Sequence, residues 1–110
     1  MIKRTSLVWK RPELSDREFR ELWLGDHVKA ARRLPGLREY TIDFVTEGPA
    51  EGPAGIATLR FDSRLALDKA FSDPALAREL FSTRDQFARS VQVMFVDETI
   101  IVPHAPTDKQ

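Results

Sequence analysis

The sequence predicts an α+β domain in which a four-stranded antiparallel sheet carries helices on one face. Three observations lead there. Segments with strand periodicity and segments with helix periodicity follow one another in the order strand, helix, strand, strand, helix, strand. The 110-residue chain is 42% hydrophobic, with seven Phe and two Trp, which suits one globular core and exceeds what a disordered chain carries. It contains no Cys, so no disulfide framework substitutes for that core.

The first strand spans Ile2 to Lys10, rich in β-branched and apolar residues, and ends at Arg11-Pro12, where the ladder loses a donor. Ser15-Asp16-Arg17-Glu18 has the capping-box spacing and opens a helix with acidic residues at its positive end. Phe19, Leu22, Trp23, Ala30 and Leu34 recur on one helical arc until Pro35-Gly36 stops it. Leu37 to Thr46 alternates, with Arg38, Tyr40, Ile42 and Phe44 on one face and Glu39, Thr41 and Asp43 on the other. The tandem Glu-Gly-Pro-Ala repeat within residues 47–55 is a loop, and a strand over Ile56 to Phe61 returns across it. Asp62 or Ser63 caps a second helical region, which Ser72-Asp73-Pro74 interrupts and restarts, Asp as N-cap and Pro as first helical residue. Val91 to Val102 reads as a central or interface strand, and residues 103–110 as a polar tail after a single domain over 1–102. This order is the split β-α-β, ferredoxin-like plan. Its sheet has one face without helices, and a second copy of the same sheet would cover it, closing a dimeric α+β barrel.

Composition excludes several functions. The 17 basic and 17 acidic residues balance, which argues against a nucleic-acid binder. The balance conceals an asymmetry: residues 1–40 are rich in basic groups and residues 41–110 in acidic ones, so the two halves are suited to pair. No apolar run is long enough to span a bilayer and no signal-peptide pattern opens the chain, so a cytoplasmic location with no membrane partner is expected. Two distant His and no Cys supply no familiar metal-ligand set, so no metal is expected.

The residues that break the pattern lie on the first helix. Asp26 falls near the centre of its apolar arc and His27 at the shoulder, directly after Gly25. A bend there would re-aim both side chains. His27 suits general acid/base chemistry because imidazole titrates near neutrality, with Asp26 or a backbone carbonyl fixing the ring. The plain alternatives are a core-edge histidine and an exposed Asp26 paired with Lys29. Tyr40 would donate a hydrogen bond to a developing enolate, or simply pack. Arg38 and Arg60 would hold an anionic substrate group, or be solvated. Trp9, Trp23 and Phe44 would form apolar walls.

Glu18–His27 (E-F-R-E-L-W-L-G-D-H), Ala31–Tyr40 (A-R-R-L-P-G-L-R-E-Y), Gly55–Ser63 (G-I-A-T-L-R-F-D-S) and Val96–Val102 (V-D-E-T-I-I-V) together resemble the EthD family over nearly the whole chain. The W-x-x-x-H spacing followed by P-G-x-R-x-Y carries most of that likeness. The resemblance implies a homodimeric α+β barrel, similar to muconolactone isomerases and aromatic polyketide cyclases, working without metal or organic cofactor. It places the residues matching His27 and Tyr40 in a pocket. Lys29 stands where the family often has Pro, and the pocket Cys of the isomerase relatives has no counterpart in this chain. The expected function is cofactor-independent acid/base chemistry of isomerase or cyclase type on an aromatic or lactone-like metabolite. The alternatives are a non-catalytic accessory protein binding a hydrophobic metabolite in an oxidative degradation pathway, and a cofactor-free oxygenase.

Overall fold

The computed structural model describes residues 1–104. Strand β1 (Ile2–Lys10) is followed by helix α1 (Asp16–Leu22), a kinked turn (Trp23–His27) and the short helix α2 (Val28–Ala31). Strands β2 (Glu39–Phe44) and β3 (Gly55–Phe61), helices α3 (Arg64–Ala70) and α4 (Pro74–Arg84) and strand β4 (Ala88–Asp97) complete the order. The sheet runs β2-β3-β1-β4 with every pair antiparallel. This is the α+β, ferredoxin-like fold that the periodicities predict. No helix among the described residues is long and apolar enough to cross a membrane.

The local signals act as expected. Ser15 and Glu18 form the full capping box. Asp73 caps α4 through the amides of Ala75 and Leu76, with Pro74 as its first residue. Gly36, at φ +77°, makes the turn into β2, a conformation L side chains rarely adopt. Ion pairs join the basic first part of the chain to the acidic second part: Lys3 with Glu98, Arg33 with Glu79, and Arg38 with Asp62.

The last strand differs from its predicted bounds of 91–102. It begins at Ala88 and stops at Asp97, because its one ladder partner, β1, runs out at Ile2, which pairs with Asp97. Ile100, Ile101 and Val102 are therefore exposed. For the same reason β4 is an edge strand of this sheet, with β1 and β3 central. Of the predicted tail, residues 105–110 lie outside the described residues.

The register fixes which side chains meet the helices. Arg4, Ser6 and Val8 of β1 pair with Leu59, Ala57 and Gly55 of β3, and these with Tyr40, Ile42 and Phe44 of β2. Val8 and Ser6 are buried, so this is the covered face. Two apolar clusters form there. One gathers Leu34, Leu59, Phe61, Leu67, Leu76 and Leu80. The other gathers Val8, Phe19, Trp23 and Phe87. Trp23, Phe61 and Phe87 are the largest fully buried side chains.

Trp23 lies on the backbone of β3. A Cβ built on Gly55 would collide with Cζ3 of Trp23 and stand 3.0 Å from its Cη2, with the Asp43 carbonyl behind at 3.5 Å. The indole ring is rigid, and Phe87 is stacked on it at 5.0 Å between ring centroids. Gly55→Ala should therefore cost about 1–3 kcal/mol by overpacking, read as a lower midpoint in urea denaturation. An unchanged midpoint would mean that the ring has room to move.

Candidate active site

The helix after Leu22 does not continue regularly. Gly25 leaves helical geometry (φ −87°, ψ −121°) and kinks the helix there before α2 resumes. A break in helical geometry at one residue resets the direction of the next turn, so the side chains after Gly25 leave the arc a regular helix would give. Asp26 is thereby exposed, off the apolar arc where regular spacing places it. His27 is half-buried and turns toward α4.

Between the two apolar clusters runs a cavity with about 50 Å³ open to the centre of a water molecule. One water needs roughly 10–15 Å³, so a small group fits. Members of both clusters form its walls, Trp23, Val8 and Phe87 from one and Leu34, Leu59 and Leu80 from the other. Into this apolar seam project His27, Tyr40, Ser6, Arg4 and Arg84. Among the described residues no group of three His, Cys, Asp or Glu could hold a metal ion.

The tautomer of His27 follows from its neighbour. Its Nδ1 lies 2.9 Å from Oγ1 of Thr83. That hydroxyl gives its one proton to the Glu79 carbonyl at 2.8 Å, shared with the Leu80 carbonyl at 3.2 Å. With the hydroxyl proton placed there, Oγ1 accepts from Nδ1–H, the tautomer that leaves the lone pair on Nε2. Desolvation lowers the His27 pKa to about 4, helped by the positive charges of Arg84 and Arg4, against a hydrogen bond to the Leu80 carbonyl that raises it. The ring is neutral at pH 7 and presents a base.

Burial raises the Tyr40 pKa, so its phenol remains a proton donor. The indole Nε1 of Trp23 approaches that phenol and opposes the shift, but it completes no hydrogen bond and stays buried without a partner. Arg4 is half-buried, lies 4.9 Å above the Phe71 ring and donates to Ser6 Oγ at 3.3 Å. Desolvation, then the charge of Arg84, lowers its pKa. Arg84 lies 4.9 Å above Phe81 and bonds Asp85 at 3.1 Å on its outer side.

Of the residues singled out from sequence, His27, Tyr40 and Trp23 meet in this cavity. The others do not. Asp26 makes no contact with the imidazole, and Thr83 holds the ring instead. Arg38 points to solvent and pairs with Asp62. Arg60 lies on the sheet face without helices, where its hydrogen bonds, followed by those of Lys3, hold Glu98 down to about 2. Trp9 is on that same face and donates to the Glu51 carbonyl of the loop at 2.9 Å. Phe44 stands behind the wall, edge-on to Trp23 at 5.5 Å, and supports it without lining the cavity. Arg4, Arg84 and Thr83 were not singled out. Two signals mark the arginines: Arg4 alternates with Ile2, Ser6 and Val8, and Arg84 continues the Leu76, Leu80 stripe at i+4.

Comparison with known proteins follows the same lines. The family model described as EthD domain matches residues 11–90. None of the curated proteins matches the sequence significantly. Among solved structures, an ethyl tert-butyl ether d (EthD) family protein from Bacillus halodurans superposes with a TM-score of 0.71 at 19% identity, over 90% of this chain and 100% of its own. A dimeric protein of unknown function and ferredoxin-like fold from Bacteroides fragilis gives 0.64 at 12% identity, over 88% and 95%. SnoaB, a cofactor-independent oxygenase from Streptomyces nogalater, gives 0.66 at 14% identity, over 94% and 97%.

The buried neutral imidazole couples stability to pH. In the unfolded chain His27 takes a proton near pH 6.5, and in the folded chain only near 4. The stability tied to its neutral form is complete above pH 6.5 and is lost as pH falls toward 4, at most about 3 kcal/mol. Thermal unfolding followed from pH 7 to 4 should show this loss in the wild type and a flatter profile in His27→Gln. Parallel profiles would show that His27 is not the coupled group.

Proposed function

The chain belongs to the EthD domain family, and we propose that within it this protein carries out cofactor-independent acid/base chemistry on a small aromatic or lactone-like metabolite. The observation that carries the reading is the neutral His27, held by Thr83 with Nε2 free, in one apolar cavity with the protonated phenol of Tyr40. Nε2 takes a proton from a carbon next to a carbonyl. Tyr40 donates a hydrogen bond to the oxygen that becomes negative, and His27 returns the proton at another carbon, as isomerisation or cyclisation requires. Both groups act in surroundings of low dielectric, where a hydrogen bond to a developing charge is strongest.

A homodimer is part of this proposal. The face bearing Leu7, Ile56, Met94 and Val96 has no helix over it, and Met94 and Val96 are each 37% exposed. A second sheet would cover that face, and similar structures are described as dimeric.

Proton transfer can be read without knowing the natural substrate. Benzoylacetone, 3-benzoylpropionate and α-angelica lactone, incubated in D2O with the protein, should exchange the hydrogens next to their carbonyls faster than spontaneously, followed by proton NMR. His27→Ala should slow the catalysed exchange about 10²–10⁴-fold. The wild-type rate should be flat at neutral pH and fall below about pH 4, where Nε2 becomes protonated. Exchange equal in wild type and His27→Ala would reject the role. Oxygen uptake with 1,4-dihydroxynaphthalene above its spontaneous rate, without deuterium exchange, would favour the oxygenase reading that the likeness to SnoaB supports.

A further inference from the structure

The cavity holds more positive charge than its own residues answer. Arg4 and Arg84 both line it, and they are close enough for each to act on the charge state of its surroundings: Arg84 on Arg4, and both on His27. Among the described residues Arg4 makes no ion pair, and its polar side-chain contact is the Ser6 hydroxyl. Arg84 meets one carboxylate, that of the neighbouring Asp85, which is largely exposed. No Asp or Glu lines the cavity. A desolvated guanidinium without an anion is costly, and two near each other cost more. Each has an aromatic partner: Arg4 lies over Phe71 and Arg84 over Phe81.

Resting on the reading of this cavity as the small-molecule site, we propose that its ligand is an organic carboxylate, with the carboxylate between Arg4 and Arg84 and the carbon skeleton against Trp23, Phe87 and Leu80. A planar carboxylate takes parallel hydrogen bonds from guanidinium edges. The apolar walls leave its skeleton no polar partner beyond Tyr40 and His27, so the acid group sets the orientation and the carbon beside it faces the base. The bound charge would also offset the effect of the two arginines on His27, making the imidazole a stronger base with ligand in place than without.

The test compares acids with their neutral isosteres. Benzoate, phenylacetate and 3-phenylpropionate, each against its primary amide, are titrated into the full chain in low-salt buffer and followed by calorimetry. At least one acid should bind ten-fold or more tightly than its amide. Arg4→Gln and Arg84→Gln should each remove that preference, bringing acid binding to within about two-fold of the amide's in the same variant. Without ligand, Arg4→Gln should melt at or above the wild-type temperature, because it relieves an uncompensated charge. The His27 imidazole, followed by NMR, should titrate higher with the acid bound. No acid exceeding its amide, weak binding to both included, would overturn the proposal. So would phenyl phosphate binding more tightly than all three acids, a preference that survives both substitutions, or an Arg4→Gln protein that melts far below wild type. Binding needs no turnover, so failure of proton transfer at His27 leaves this result standing. A wild type without carboxylate preference, conversely, would sink this proposal alone, since deuterium exchange on neutral substrates is read separately.

Discussion

The site depends on one steric fit, the indole of Trp23 against a strand residue that has no side chain. Gly55 opens β3 opposite Val8 of β1 and Phe44 of β2, and the ring occupies the space its missing Cβ leaves. Phe87 stacks on the ring, while Phe19 and Phe44 meet it edge-on. With four rings interlocked, Trp23 has no second position. The helix that carries it must accommodate this anchor, and the kink at Gly25, two residues on, does so. Four residues past the anchor, His27 arrives at α4 against Thr83, and Asp26 is turned to water. Packing thus decides which ionisable side chain becomes chemistry and which becomes surface.

The cavity is what remains where the two clusters fail to merge. A continuous core would close the seam with leucines and be more stable. Here the seam is held open by polar side chains whose ionic forms burial disfavours. Burial keeps His27 neutral and Tyr40 protonated, and it leaves Arg4 charged without a carboxylate partner. A sequence selected for stability alone would not retain this set, and local conflicts of that kind concentrate at functional positions.

How much of this was legible in the sequence depends on the range of the signal. The capping box at Ser15, the Asp73-Pro74 restart and the alternation of β2 are set by neighbouring residues, and all three are present. Strand β4 ends where β1 ends, a limit written in a segment some ninety residues away and invisible in its own apolar run. Asp26 lies on the apolar arc only for a regular helix, and one kink at Gly25 is enough to move it from the core side to water. Arg38 shares a strand face with Tyr40 in the alternation, yet its partner Asp62, like Glu98 beside Arg60 of β3, is set by sheet geometry rather than by spacing. Arg4 and Arg84 carried a readable signal, a charge on an inward strand position and a charge on an apolar helical stripe. Each looks like an ordinary basic residue until the two stripes are brought together.

Charge neutrality takes on a different meaning at this scale. The exposed pairs Arg33–Glu79 and Arg38–Asp62 and the partly covered Lys3–Glu98 pair balance the two halves of the chain. In water such pairs contribute little and are screened within about 10 Å at moderate salt. The charges within the cavity are not screened in this way, and they are all of one sign. The balance of the sequence is therefore a property of the surface, while the field an incoming molecule meets is set by Arg4 and Arg84. A neutral molecule would leave Arg4 without an anion, and a bound carboxylate would answer it and, by offsetting the positive charge, strengthen the base at His27. The cavity's positive charge and the tuned base are in that sense one arrangement: burial holds His27 neutral, the two guanidiniums add to that, and a ligand that answers them would act on the base as well.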